Sequence, residues 1–375
     1  MTKIAVIVSP KGISDAGGVE RVMLYVRQAL RSQAYTVILL DSHFLAHSTL
    51  GRTLAFLLKS RRGFFWQSLL LSYFAEKFRR RGAFVIANGY SSFLARADLL
   101  FSHGSMHGFR VAKAESLENG KRWKLKLFGF EEFMEMIAGQ RAKKVLAVSP
   151  NAAREWQRYY RISAKKIRML PNTVDTAHFK PKDSILRASA GEPDSGGGSG
   201  RLLRVLFVGR LEWMKGIDKV KAFAEYCHEQ HLPVHFTLVA PDARGSEHFM
   251  HLPNLSIKIG IPYAQMPDIY TACDVVYFPS RYEGFEMITL EALACGIPVV
   301  GSRVGAIGYL LDKKFPGVYP AFTQGSEHLH GVLMHAAEEW SDTPRKYTLH
   351  EMVEKEFGIA KWSGRLLEIM GEAHV

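Results

Sequence analysis

Apolar residues along the chain gather in short continuous runs separated by amphipathic stretches. Lys3–Val8 is such a run. A loop holding Gly12, Gly17 and Gly18 follows it. Val19–Leu30 comes next, with apolar residues at 19, 22, 23, 26, 29 and 30, the spacing of a helix with one buried face. Thr36–Leu40 is the next run. Further strand-like runs stand at Ala83–Ala87, Leu99–Ser102, Lys143–Ser149, Leu202–Val208, His235–Val239, Leu255–Ile259, Val275–Phe278 and Ile297–Val300. Continuous rather than alternating apolar runs belong to parallel strands covered on both faces. Strand and helix alternate in both halves, so the fold class is α/β with two doubly wound domains. Gly191–Gly200 is a low-complexity run of small and polar residues. It sets the expected boundaries: a first domain over 1–175, a linker over 176–201, a second domain over 202–355 and a terminal helix over 356–375.

The run Val275–Phe278 leads through a Pro-Ser turn into Arg281-Tyr-Glu-Gly-Phe-Glu286 and a predicted helix that Gly296 ends, with Pro298 just beyond. Ligands of open parallel sheets bind outside the carboxyl ends of the strands, where the next helix points free N–H groups at an anion. Glu283 lies in this loop and Glu291 in the helix. Two carboxylates placed where a phosphate would bind suit hydroxyl binding, although alone they also fit a cap and a solvated helix residue. A second loop of interest follows the strand ending at Val208. Gly209 permits close backbone approach, Arg210 can fork onto phosphate oxygens, and Lys215 adds a cation ahead of the next helix. His103 closes another strand and precedes Gly104, with His107 nearby.

Charge changes the picture in one half only. Residues 1–180 hold 30 Lys+Arg against 12 Asp+Glu, and the remainder holds 19 against 24. A one-sided basic domain implies an anionic partner, either nucleic acid or an anionic membrane. Leu57–Trp66, Leu69–Phe74, Phe78–Arg81 and Lys121–Phe128 mix basic with aromatic residues. That pattern fits helices resting on an anionic membrane, or ordinary helices with a solvated basic face. Cys227, Cys273 and Cys295 form no metal-type spacing and imply a reducing compartment. No apolar run reaches membrane-spanning length and no leader pattern is visible, so the expected location is the cytoplasm, with peripheral contact at the inner membrane face.

The string Glu283-Gly-Phe, four residues, then Glu-Ala-Leu-Ala-Cys-Gly-Ile-Pro-Val-Val300 resembles the E-x7-E signature of retaining glycosyltransferases of family 4. Gly17-Gly-Val-Glu-Arg21 resembles that family's glycine loop, and His103 its strand-end histidine. Gly209-Arg210 with Lys215-Gly216 resembles its diphosphate clamp. Pro171-Asn-Thr-Val-Asp175 resembles its Pro-Asn-Gly-Val-Asp segment, with Thr173 in place of glycine.

The resemblance implies the GT-B fold, two Rossmann-like domains facing a central cleft, with the last helix returning to the first domain. It implies a hexosyl transfer from a nucleotide-sugar, UDP- first and GDP- next, to a glycan or lipid-linked acceptor such as lipopolysaccharide, with retained configuration. Arg210 and Lys215 would hold the diphosphate, helped by Gly209 and by amides near Glu286, Met287 and Ile288. Glu291 would bind the ribose, Glu283 the donor sugar, and Ile261 the base, with Phe285, Gly17 and Gly18 completing the donor site. His103 would line the reaction centre from the acceptor side. Neither cofactor nor metal is expected, because no DxD-like motif occupies a comparable loop. A storage-polysaccharide synthase or phosphorylase of the same fold is the alternative. A nucleic-acid-binding protein is disfavoured, since it leaves the glutamate pair and the clamp without a role.

Overall fold

A computed structural model describes residues 3–14, 17–60, 63–115, 126–182, 201–321 and 325–374. The chain forms two compact units, Met1–Asn172 with Ala360–Val375, and Thr173–Ile359. Residues 121–125 of the basic-aromatic segment 121–128 and residues 183–200 of the expected linker lie outside the described residues.

The first unit contains β1 (Ile4–Val8), β2 (Thr36–Leu40), β3 (Phe84–Asn88), β4 (Leu99–Ser102), β5 (Lys144–Ala147) and β6 (Ile167–Met169). They form one sheet in the order β2-β1-β3-β4-β5-β6, parallel throughout. Ala5 to Val8 are fully buried, as a strand covered on both faces requires. The helix Gly18–Ser32 covers one face with Val22, Met23, Val26 and Leu30. The terminal helix Ile359–His374 also belongs here. It buries Trp362, Leu366, Ile369 and Met370, while Arg168 pairs with Glu372 at 2.5 Å and Lys143 donates to the Ala373 carbonyl at 2.9 Å. After β1 the chain places β2 on one side and β3 on the other. The loops leaving β1 and β3 therefore stand side by side at the sheet's switch point.

The second unit repeats this plan with β7 (Leu203–Val208), β8 (Val234–Ala240), β9 (Leu255–Ile259), β10 (Val275–Phe278), β11 (Val299–Gly301) and β12 (Val318–Pro320). The order β12-β11-β10-β7-β8-β9, again parallel, puts the switch point between β7 and β10. Phe207, Phe223, Phe236 and Tyr277 fill one face of the sheet, with Phe223 and Phe236 edge to face at 5.6 Å. Residues 176–182, which fall in the expected linker, pack within this unit. Phe179 is fully buried against the rings of Tyr263 and Tyr270. Thr173, where the family pattern has glycine, does not take a left-handed conformation. It is buried and its hydroxyl donates to the Phe357 carbonyl at 2.6 Å, beside a bridge from Val174 to Gly358.

Two left-handed glycines of the second unit differ in a testable way. Gly216 (φ +73°) would place a Cβ 2.2 Å from the Pro279 carbonyl oxygen, whereas Gly260 (φ +64°) has nothing nearer than 4.0 Å. Backbone conformation alone costs an L-residue about 1–2 kcal/mol there. Gly260→Ala should lose about that much in urea denaturation. Gly216→Ala must also displace the β10 loop, and should lose more than about 3 kcal/mol.

Candidate active site

The two loops at the second switch point are joined by opposite charges. Gly209 (φ +153°) ends β7, and the turn Trp213–Lys215 follows, closed by Gly216. Gly216 lies flat against Pro279 of the β10 loop, so Lys215 is carried to Glu283. Their Nζ and Oε1 are 2.6 Å apart, and the side chains are only 19% and 10% exposed. The Ser280 hydroxyl donates to the same oxygen at 2.8 Å. Both donors fall on Oε1, and Oε2 receives no hydrogen bond from any described residue. Arg281 fastens the loops from outside. It forks onto Asp218 at 2.6 and 2.7 Å, donates to the Trp213 carbonyl at 2.6 Å and lies 3.9 Å over the Trp213 ring. Arg210 turns to Glu212 at 2.9 Å and stays more than half exposed. Such a surface pair is worth about 0–1 kcal/mol, so an incoming phosphate competes for the guanidinium easily.

Three carboxylates crowd this region, and each has its own donors. Glu286 precedes the helix Met287–Ala294, but its side chain does not cap it. It reaches instead to the next helix, Gly305–Asp312, accepting from the Ala306 amide at 2.9 Å, the Ile307 amide at 3.1 Å and the Thr289 hydroxyl at 2.7 Å. Burial and the neighbouring Glu283 charge push its pKa up to about 7, against the pull of Thr289 and Ala306. Gly305 (φ +53°) is required here, because a Cβ would stand 2.1 Å from Glu286 Oε2 and 2.6 Å from Glu283 Cβ. The second helix start is thus occupied by a carboxylate of the chain itself. The start of Met287–Ala294 has no such side chain, which leaves the amides at Met287 and Ile288 as the anion-facing ones.

Glu291 is buried and accepts from the Tyr270 hydroxyl at 2.8 Å. Phe285 is buried against Tyr309 and Phe357, a core contact rather than an exposed wall. Ile261 follows Gly260 beyond β9, two strands from β7 in the sheet order. The structure therefore joins Lys215, Glu283, Gly209 and Glu286 closely, holds Glu291 separately on Tyr270, and leaves Arg210 exposed on Glu212. Among the described residues, no group of three or more His, Cys, Asp or Glu is placed to hold a metal ion.

The switch point of the first unit carries neutral groups. Ser9 follows β1, Asn88 ends β3 and His103 follows β4. The Ser9 hydroxyl donates to the Gly12 carbonyl at 2.7 Å, so its oxygen accepts from the Asn88 amide nitrogen at 3.1 Å. Asn88 Oδ1 must then face His103, whose Nε2 lies 2.8 Å away. This network assigns the imidazole proton to Nε2 and leaves Nδ1 as a lone-pair acceptor. Burial pushes the His103 pKa down to about 4, so the ring is neutral at pH 7. Gly17 precedes the helix Gly18–Ser32 at φ −132°, and the Glu20 carboxylate lies over it. His107 is engaged elsewhere, hydrogen-bonded to Glu132 and stacked on Tyr159 at 3.7 Å. Glu135, fully enclosed, accepts from the Met106 amide at 2.7 Å and from Tyr160, and burial pushes its pKa up to about 8. Asn88 and Ser9 escape a sequence reading, since only the strand order shows that they meet His103; Ser280 meets Glu283 within one loop, three residues away.

The tautomer assignment has a measurable consequence. His103 should stay neutral and protonated at Nε2 from pH 5.5 to pH 8 in 15N spectra. Asn88→Asp places a carboxylate in the amide's position and should raise the His103 pKa by about 1–3 units, bringing it into titration near neutrality.

Residues 203–325 match the family described as "Glycosyl transferases group 1", and residues 16–178 match "Glycosyltransferase Family 4". D-inositol 3-phosphate glycosyltransferase of Segniliparus rotundus is 32% identical over 173 residues, covering 43% of this chain and 37% of the relative. The chain thus spans well under half the length of that relative. Among solved structures, sucrose-phosphate synthase from Thermosynechococcus elongatus superposes with a TM-score of 0.72 at 20% identity, covering 99% of this chain and 98% of that one. HepE of Anabaena, in complex with UDP-glucose, gives 0.68 at 17% identity, with 99% and 100% covered. With two parallel six-stranded sheets of matching plan, the chain belongs by sequence to the group 1, family 4 glycosyltransferases and has the two-domain, Rossmann-like GT-B fold.

Proposed function

We propose that this glycosyltransferase moves a sugar from a UDP-sugar, with retention, to a lipid-linked surface-glycan acceptor at the inner face of the membrane. The observation that carries the donor half is the enclosed Lys215–Glu283 pair beside a free helix start. A diphosphate arriving at Met287 and Ile288 draws Lys215 and Arg210 off their carboxylates. Glu283 is then released to bind donor-sugar hydroxyls, and its charge favours the oxocarbenium-like ring. Glu291, oriented by Tyr270, takes the ribose hydroxyls. The acceptor hydroxyl attacks the anomeric carbon from the side of the leaving diphosphate. Its oxygen bonds to carbon as the carbon–phosphate-oxygen bond breaks, and its proton passes to the departing phosphate. His103 Nδ1 accepts a hydrogen bond from a hydroxyl at the acceptor side. Two cations and helix amides supply the charge that a divalent metal provides elsewhere, so no metal or cofactor is required in this reading.

UDP is favoured because one structural neighbour is described with UDP-glucose; GDP ranks next. An anionic acceptor suits the basic excess of residues 1–180, and the sequence relative is named for a phosphorylated acceptor.

A thermal-shift panel of UDP, GDP, TDP and ADP in EDTA tests the donor site. UDP at one hundred times its Kd should add about 2.7 kcal/mol of apparent stability. Lys215→Ala and Arg210→Ala should lose most of that shift. Glu283→Gln should keep UDP binding and lower turnover by at least about 100-fold. Equal responses to all four nucleotides, or none, would sink the donor assignment.

A further inference from the structure

The helical turn Ala55–Leu58 reads Ala-Phe-Leu-Leu and buries none of its residues. Phe56 is 69% exposed. Ala55, Leu57 and Leu58 are half-buried around it, and contiguous apolar surface of this kind marks an interaction site. Its flanks are cationic. Arg52 stands four residues before Phe56 and Lys59 three after it, so a near-helical backbone sets all three roughly on one side. Both are exposed, and neither joins an ion pair among the described residues. No Asp or Glu stands anywhere between Asp41 and Glu76. Phe64, at the start of the helix Gly63–Arg79 that packs against this turn, is also exposed.

We infer that Arg52, Phe56 and Lys59 form a docking surface for an anionic lipid bilayer, with Phe56 entering the headgroup–acyl boundary and the two cations resting on lipid phosphates. The inference deepens the membrane-bound acceptor proposed above. The choice of occupant follows from chemistry. A second copy would bring these cations against their own like, and a nucleic acid would leave Leu57 and Leu58 uncovered. An interface with hydrocarbon below and negative charge above satisfies both features together.

Co-sedimentation with vesicles of phosphatidylglycerol and phosphatidylcholine in equal parts tests this directly, with phosphatidylcholine vesicles as the contrast. The protein should partition into the anionic vesicles and only weakly onto the neutral ones. Phe56→Ser should weaken partitioning about tenfold, and Arg52→Gln or Lys59→Gln about fivefold each. All three residues are exposed, so melting temperature and UDP binding should not change. Binding by Phe56→Ser equal to that of the parent overturns the surface, as does equal binding to neutral vesicles. Concentration-dependent dimerisation lost in Phe56→Ser also overturns it, in favour of a second copy. Loss of the UDP response with vesicle binding intact would instead fault the donor reading and leave the surface standing.

Discussion

Lys215 and Glu283 are 68 residues apart in sequence and 2.6 Å apart in space, and the second unit is arranged so that they meet. Two opposite charges with little solvent access stabilise one another only if the geometry is held, because removing either strands the other. The holding is done by backbone. Gly216 lies against the Pro279 carbonyl, the Arg281 amide donates to the Met214 carbonyl at 2.9 Å, and Arg281's side chain ties both loops to Asp218. None of this is possible unless β7 and β10 are neighbours, and that adjacency is set by the order in which the chain lays down its strands.

Close packing of carboxylates needs a separate account. Glu283, Glu286 and Glu291 fall within nine consecutive positions, yet each is answered differently: by an ammonium and a hydroxyl, by helix amides and a hydroxyl, and by a tyrosine. Glu286, buried and next to the Glu283 charge, is the one raised towards neutrality. Its cap on the helix Gly305–Asp312 removes that helix start from competition for an anion. The start of Met287–Ala294 carries no such side chain and stays open to an anion.

The strands were legible because parallel strands buried on both faces leave unbroken apolar runs, and the runs at Lys3–Val8, Leu202–Val208 and Val275–Phe278 coincide with β1, β7 and β10 within a residue. β6 and β12 escape the sequence reading because Arg168 interrupts Ile167-Arg-Met169 and Pro320 closes Val318-Tyr-Pro320, so neither makes an apolar run. Phe179 was assigned to the linker because a Lys-Pro and glycine context hides that its ring fills a gap between Tyr263 and Tyr270. For the site, residue types at loop positions were readable, and their partners were not. Nothing in the sequence near Glu286 indicates that its donors are the amides of Ala306 and Ile307, since that pairing exists only once β10 and β11 are adjacent. Asn88 was invisible for the same reason: its meeting with His103 depends on β3 pairing with β4.

The two switch points therefore differ in kind. One gathers charges in an enclosed ammonium–carboxylate pair, which in the proposed reading exchange partners when a diphosphate binds. The other gathers neutral donors and acceptors in a fixed relay from Gly12 through Ser9 and Asn88 to His103, ending in the Nδ1 lone pair of a ring that stays uncharged at neutral pH. A neutral acceptor is what a sugar hydroxyl can use without a change of protonation, whereas a charged clamp is what a diphosphate needs. Similar sheets, wound in the same way, thus present opposite electrostatics. The difference comes from a few loop residues placed at the strand ends: Ser9, Asn88 and His103 in one unit, Lys215, Ser280 and Glu283 in the other.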